Sequence, residues 1–105
     1  MTARIMVFAK IKPGTGPQFE AAYQEVTQKV KGTPGHIRDE LLRADGEPDT
    51  YILLSEWESK EAFLAWEDAP IHKGTTTPMR PYWEGNVDRR IYEVAFRLTS
   101  TGSSP

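Results

Sequence analysis

The sequence predicts an α+β fold of the split-βαβ, ferredoxin-like kind: a four-stranded antiparallel sheet with both helices on one face. Three observations predict it. Two stretches repeat apolar residues at three- and four-residue spacing, which is helical periodicity. Four others alternate apolar and polar residues or read as β-branched runs bounded by turn residues. Their order along the 105 residues is β-α-β-β-α-β.

The first strand is expected over 3–12, with Ile5, Val7, Ala9 and Ile11 on one face and Met6, Phe8 and Lys10 on the other. "PGTG" turns the chain. Pro17 suits the first turn of a helix over 17–31, where its missing N–H costs nothing. Phe19, Tyr23, Val26 and Val30 form the apolar stripe of that helix, and Gly32 with Pro34 ends it. Residues 36–44 are a weaker strand, because Asp39 and Glu40 are poor strand formers. The turn residues "DGEPD" and the clear strand "TYILLSEW" (50–57) resolve it as half of a hairpin. Ser59 caps a second helix, "KEAFLAWED", on which Phe63 and Trp66 share a face. Pro70 interrupts that helix. Residues 71–85 are expected to be mostly irregular, with room for one short helical turn. The last strand is expected over 86–98, with Tyr92, Val94, Phe96 and Leu98 on one face. One domain thus spans 1–98, followed by a polar tail, 99–105, expected to be disordered.

Composition narrows the function. With 38% hydrophobic and 27% charged residues the chain supports a folded core. A net charge of −2 without a basic patch argues against a nucleic-acid partner. No apolar run approaches the ~20 residues that span a bilayer, so no membrane partner is expected. The N-terminus lacks a small-residue cleavage site, and a cytoplasmic location is expected. There is no cysteine, which excludes thiolate nucleophiles, disulfides, iron–sulfur ligation and cysteine-based zinc sites. His36 and His72 lie too far apart for a zinc motif, so no metal is expected. "PGTGPQ" lacks the Lys and Ser/Thr of a phosphate loop. The first and third strands are apolar on both faces, and nothing in this chain is left to cover the second one. Two sheets packed face to face, as a homodimer, would do so.

"SEWESKEAFLAW" resembles the W-x-S-x-E-A-F-x-x-W signature of antibiotic biosynthesis monooxygenase domains. "IKPGTGPQFE", "GTPGHIRDELLR" and "YEVAFRL" resemble the same family, so the likeness runs over 3–98. It implies a dimeric α+β barrel with a pocket between sheet and helices in each subunit. Two branches of the family bear on function. The heme-degrading branch uses an asparagine on the first strand, a tryptophan on the second helix and a histidine iron ligand after it. Trp66 matches the tryptophan. Val7 stands where the asparagine would be, and Thr75 or Thr76 where the histidine would be, with His72 about one turn earlier. The branch that oxidises anthrones to quinones without a cofactor is matched at Trp57 and in part at Phe63, where one form has tyrosine. Its arginine falls near Thr77, with Arg80 the nearest candidate.

Cofactor-free oxidation by O₂ needs an electron-rich substrate that serves as its own reductant, flat apolar walls, a base and a few donors. Trp57, Phe63, Trp66, Tyr82 and Trp83 are candidate walls, with Val7 on the floor. His72, whose ordinary pKa lies near neutrality, is the candidate base. Arg80, Tyr51 and Tyr82 are candidate stabilisers of the anion. The expected activity is therefore oxygenation of an aromatic, anthrone-type small molecule with O₂ and no cofactor. Heme degradation comes second, and a cyclase, isomerase or binding module third. Each aromatic also has a packing reading: Trp57 ends a strand, Phe63 and Trp66 share a helix face, and His36 sits beside a turn. The acidic residues Glu56, Glu58, Glu61, Glu67 and Asp68 read as a solvated face.

Overall fold

The computed structural model describes residues 1–100. The elements are β1 (Ala3–Lys10), α1 (Gly16–Val30), β2 (His36–Arg43), β3 (Thr50–Trp57), α2 (Lys60–Asp68), α3 (Pro70–Thr76), a 3₁₀ segment (Thr77–Tyr82) and β4 (Asp88–Glu93). All neighbouring strands are antiparallel, in the order β2-β3-β1-β4. That is the ferredoxin-like arrangement read from the sequence.

Register fixes which side chains face the helices. Ile5 opposes Ser55 and Ile91, Val7 opposes Leu53 and Arg89, and Asp39 opposes Ser55. With period-two alternation these form one face. The helices close over it, burying Phe19, Val26, Val30 and Phe63 against Ile5, Ile11 and Trp57. The other face carries Met6, Phe8, Ile52 and Leu54 with no element of this chain above it. Gly35 matters to this packing. Its φ is +86°, and a Cβ there would lie 2.5 Å from the Ala62 Cβ, so only glycine lets β2 begin this close to α2.

Three expectations change. Residues 70–82 are helical rather than irregular. Ala69 is extended (φ −69°, ψ 141°) and ends α2. Pro70 and Pro78 then each open a new helical turn, the position where proline is tolerated, and Thr75 and Met79 face inward four residues apart. The last strand is also shorter than 86–98. Val94 N–H still donates to the Thr2 carbonyl, but β1 starts at Ala3, so the partner strand runs out there. Phe96 and Leu98 consequently lie outside the sheet, 82% and 83% exposed. The tail expected to be disordered reaches beyond residue 100 and there lies outside the described residues. Nor is the acidic run simply solvated. Glu56 is buried on β3 and paired with Arg38 (3.0 Å) and Arg97, while Glu67 is held by Arg89.

Candidate functional site

Between the inward sheet face and the helices lies a cavity of about 230 Å³. Seven of the residues singled out above line it: Val7, Trp57, Phe63, Trp66, His72, Arg80 and Trp83. Tyr51 and Tyr82 do not. Both pack around Phe19 at the far end of α1, with ring centroids 5.1 and 6.1 Å from it. The Tyr51 hydroxyl donates to Glu20 Oε2 (2.8 Å), which also accepts from Arg43 (2.9 Å). Burial, then the Glu20 carboxylate, raises the Tyr51 pKa, so this phenol is committed to a structural bond. A wider groove beside it, between α1 and the β2–β3 turn, is lined by Glu20, Arg43 and turn residues and is open to solvent.

The cavity's aromatic wall is built from two elements. The Ser59 side chain accepts from Ala62 N–H (3.1 Å) and starts α2 where Phe63 and Trp66 must face the sheet. Trp57, at the end of β3, is fully buried and ties its indole N–H to Ser55 Oγ (3.0 Å). Trp57 and Trp66 stack at 5.6 Å with 29° between planes, and Phe63 meets Trp57 edge-on at 5.7 Å. Trp66 in turn receives the His72 ring edge-on at 4.4 Å. Such pairs are worth ~0.5–1.5 kcal/mol each beyond their buried area. Trp57 and Trp66 thus pack in the core and also border the cavity.

Polar groups enter at both margins. On the α3 side stand His72, Thr76, Arg80, Glu67 and Arg89. Glu67 and Arg89 form a two-point pair at 2.7 and 3.0 Å, which locks β4 to α2. Arg80 donates to Thr76 Oγ1 (2.9 Å) and has no carboxylate partner among the described residues. Burial lowers the His72 pKa; Glu67 opposes the shift and Arg80 adds to it. The imidazole is thus neutral at pH 7 and can accept a proton. On the α1 side stand Tyr23, Thr27 and Asp39. The sequence gives these three no functional role. The signal was available: with Leu41 facing in, period two also turns Asp39 in, and a carboxylate on the core face needs partners. His36 supplies one, at 2.9 Å, and the Thr27 hydroxyl supplies the other.

Concave, mostly apolar cavities of this kind are where small ligands typically bind. Residues 2–76 match the antibiotic biosynthesis monooxygenase family, and the chain belongs to that family, as its "SEWESKEAFLAW" motif implies. It is 33% identical over 104 residues to Protein SchA of Streptomyces halstedii, an overlap of 96% of this chain and 27% of SchA. It is 33% identical over 61 residues to a heme oxygenase (mycobilin-producing) of Mycobacterium tuberculosis, 58% of each protein. Its fold is also that of SnoaB from Streptomyces nogalater, a cofactor-independent oxygenase, with a TM-score of 0.81 at 18% identity over 92% of this chain and 96% of SnoaB. The chain spans about a quarter of the length of SchA. No helix among the described residues is long and apolar enough to cross a membrane.

Proposed function

We propose that this protein is a cofactor-independent monooxygenase that oxidises a flat, anthrone-type aromatic with O₂. The observation that carries the reading is the meeting, in one cavity, of stacked aromatic walls, a neutral imidazole and a guanidinium without a carboxylate partner. At about 230 Å³ the cavity lies below the ~300 Å³ at which typical small-molecule sites begin, which suits a rigid, planar body.

In this reading His72 takes the acidic ring proton and leaves an electron-rich carbanion. Electrons pass from that anion to O₂, and a carbon–oxygen bond forms at the deprotonated carbon. Arg80 opposes the negative charge as it moves from ring to dioxygen. Cleavage of the O–O bond, with loss of the remaining hydrogen on that carbon, gives the quinone carbonyl. The second oxygen atom leaves as water, and His72 returns its proton to it. Trp66 fixes the ring of His72, and the apolar walls keep bulk water from the anion.

The test is conversion of an anthrone such as dithranol under ¹⁸O₂ in chelator-treated buffer. One labelled oxygen in the quinone is the expected result. No uptake across several anthrones favours a cyclase, an isomerase or a binding module of the same fold.

The heme oxygenase relative raises a second reading, but the residues do not fit that branch's ligand set. Val7 is aliphatic, Thr75 is a buried hydroxyl, and the Thr76 hydroxyl donates to the His72 carbonyl (3.1 Å). A tight Soret-shifted heme complex that is lost in His72→Ala would reverse the ranking. The reading also includes a homodimer formed through the open sheet face, where Met6, Phe8 and Ile52 are only partly buried and Leu42 is exposed. A monomer at micromolar concentration in sedimentation would remove that part. A cytoplasmic location belongs to the same proposal.

A further inference from the structure

The cavity has a second polar margin that the proposed oxygenation does not use. Asp39 lies on β2, at one edge of the sheet, and its side chain is 11% exposed. Its Oδ1 is 2.9 Å from His36 Nε2, and its Oδ2 accepts from the Thr27 hydroxyl. His36 is itself 7% exposed and packed edge-on against Trp57 at 5.0 Å, so the dyad is braced on the cavity's own wall. A carboxylate oxygen offers two lone-pair sites, and each of these oxygens uses one. Acceptor capacity therefore remains on a carboxylate that borders the cavity.

The opposite margin carries the Arg89–Glu67 ion pair. Arg89 on β4 and Asp39 on β2 occupy the two edge strands of the sheet and face the same side. Three strand spacings separate their strands, roughly 14 Å at ~4.8 Å per strand. Arg80, on the 3₁₀ segment, also lines the cavity. The cavity thus has the Asp39 acceptor at its β2 end, the Arg89–Glu67 pair at its β4 end, and rings between.

We infer that Asp39, held by His36 and Thr27, is a specificity-determining acceptor that selects aromatic ligands carrying a neutral hydroxyl or N–H donor at the β2 end of the cavity. The inference rests on the aromatic-ligand reading above and adds the ligand's polarity to it. A donor there meets a charge-assisted acceptor with its apolar surroundings intact, whereas a ring lacking it makes no such bond. A ligand anionic at that end is repelled.

The test compares 2-naphthol with 2-methoxynaphthalene, a phenol and its donor-free methyl ether of similar shape. Their dissociation constants are measured by tryptophan quenching or calorimetry. The phenol should bind wild type about tenfold more tightly. Asp39→Asn should bring the ratio close to one while the affinity for the ether holds. If Asp39→Asn fails to fold, Thr27→Val serves instead: it frees Oδ2 of its own donor, so the ratio should hold or rise. An unchanged ratio in Asp39→Asn, or a ratio of one in wild type or in Thr27→Val, overturns the acceptor role and leaves the oxygenase reading standing. Failure of both probes to bind overturns the aromatic-cavity reading and this inference with it.

Discussion

Two aromatic clusters share the inward face of one sheet, and they have different fates. Phe19, Tyr51 and Tyr82 interlock at the α1 end, with Phe19 at 0% and Tyr51 at 2% exposure. Their one strong hydrogen bond, Tyr51 to Glu20, is satisfied within the protein. Trp57, Phe63, Trp66 and His72 form the second cluster, which borders a cavity and adjoins Arg80, a cation without a carboxylate partner among the described residues. Aromatic content alone does not separate a core from a site. What separates them is where space and under-used polar groups coincide, because a sealed core leaves neither.

That contrast can be broken from either side. The largest stability effect belongs to the sealed cluster: Phe19→Ala should cost about 3–5 kcal/mol by denaturant unfolding, the usual range for a buried phenylalanine. Phe63→Ala, on the cavity side, should cost less, because part of its surroundings is already open. Equal losses would erase the distinction. Gly35→Ala comes next. A positive φ and a Cβ 2.5 Å from that of Ala62 should together cost about 2–3 kcal/mol. A melting temperature unchanged from wild type would show that β2 and α2 do not meet as described.

A third prediction concerns pH. The folded His72 pKa lies below the ordinary ~6.5, chiefly through burial. The folded state therefore holds the imidazole neutral where the unfolded chain would protonate it. That contribution to stability is full above the unfolded value and is lost as pH falls toward the folded one. Activity that needs a neutral base should follow: the acid limb of kcat/KM should fall below pH ~6.5. Arg80→Gln removes a cation that lowers the pKa and should move the limb upward. Glu67→Gln should move it down. Shifts of the opposite sign would detach the limb from His72. The smallest effect is Tyr51→Phe, about 1 kcal/mol for one net hydrogen bond, with binding of flat rings unchanged.

The contrast between the clusters also shows what was legible in the sequence. Strand alternation around Ile5 and Val7, the Phe19–Val30 stripe and the Ser59 cap all express local periodicity or turn chemistry. Those features gave the order of elements and the family motif. The reading of residues 71–85 as irregular misses α3, because Pro70, which interrupts α2, also occupies the first turn of a new helix. The extent of β4 was not a local property at all, since it depends on where β1 begins. Seven of the nine residues singled out border the cavity, because the aromatics there also follow helix and strand periodicity. Tyr51 and Tyr82 lie elsewhere. Tyr51 does face inward, yet a side chain's place along an inward face depends on which helix residue covers it, and here Phe19 does. Asp39 went unread for a similar reason. Its partner Thr27 is twelve positions away on α1, so the bond that makes a buried carboxylate tolerable appears only in three dimensions.

The most direct measurement is oxygen uptake with dithranol, without added metal or flavin, by wild type, His72→Gln and Tyr51→Phe, each checked for folding by circular dichroism. Uptake by wild type and Tyr51→Phe, with a loss on the order of a hundredfold in His72→Gln, is the predicted result. Equal uptake by wild type and His72→Gln, or a loss confined to Tyr51→Phe, would contradict the placement of the site in the Trp57–Trp66–His72 cavity.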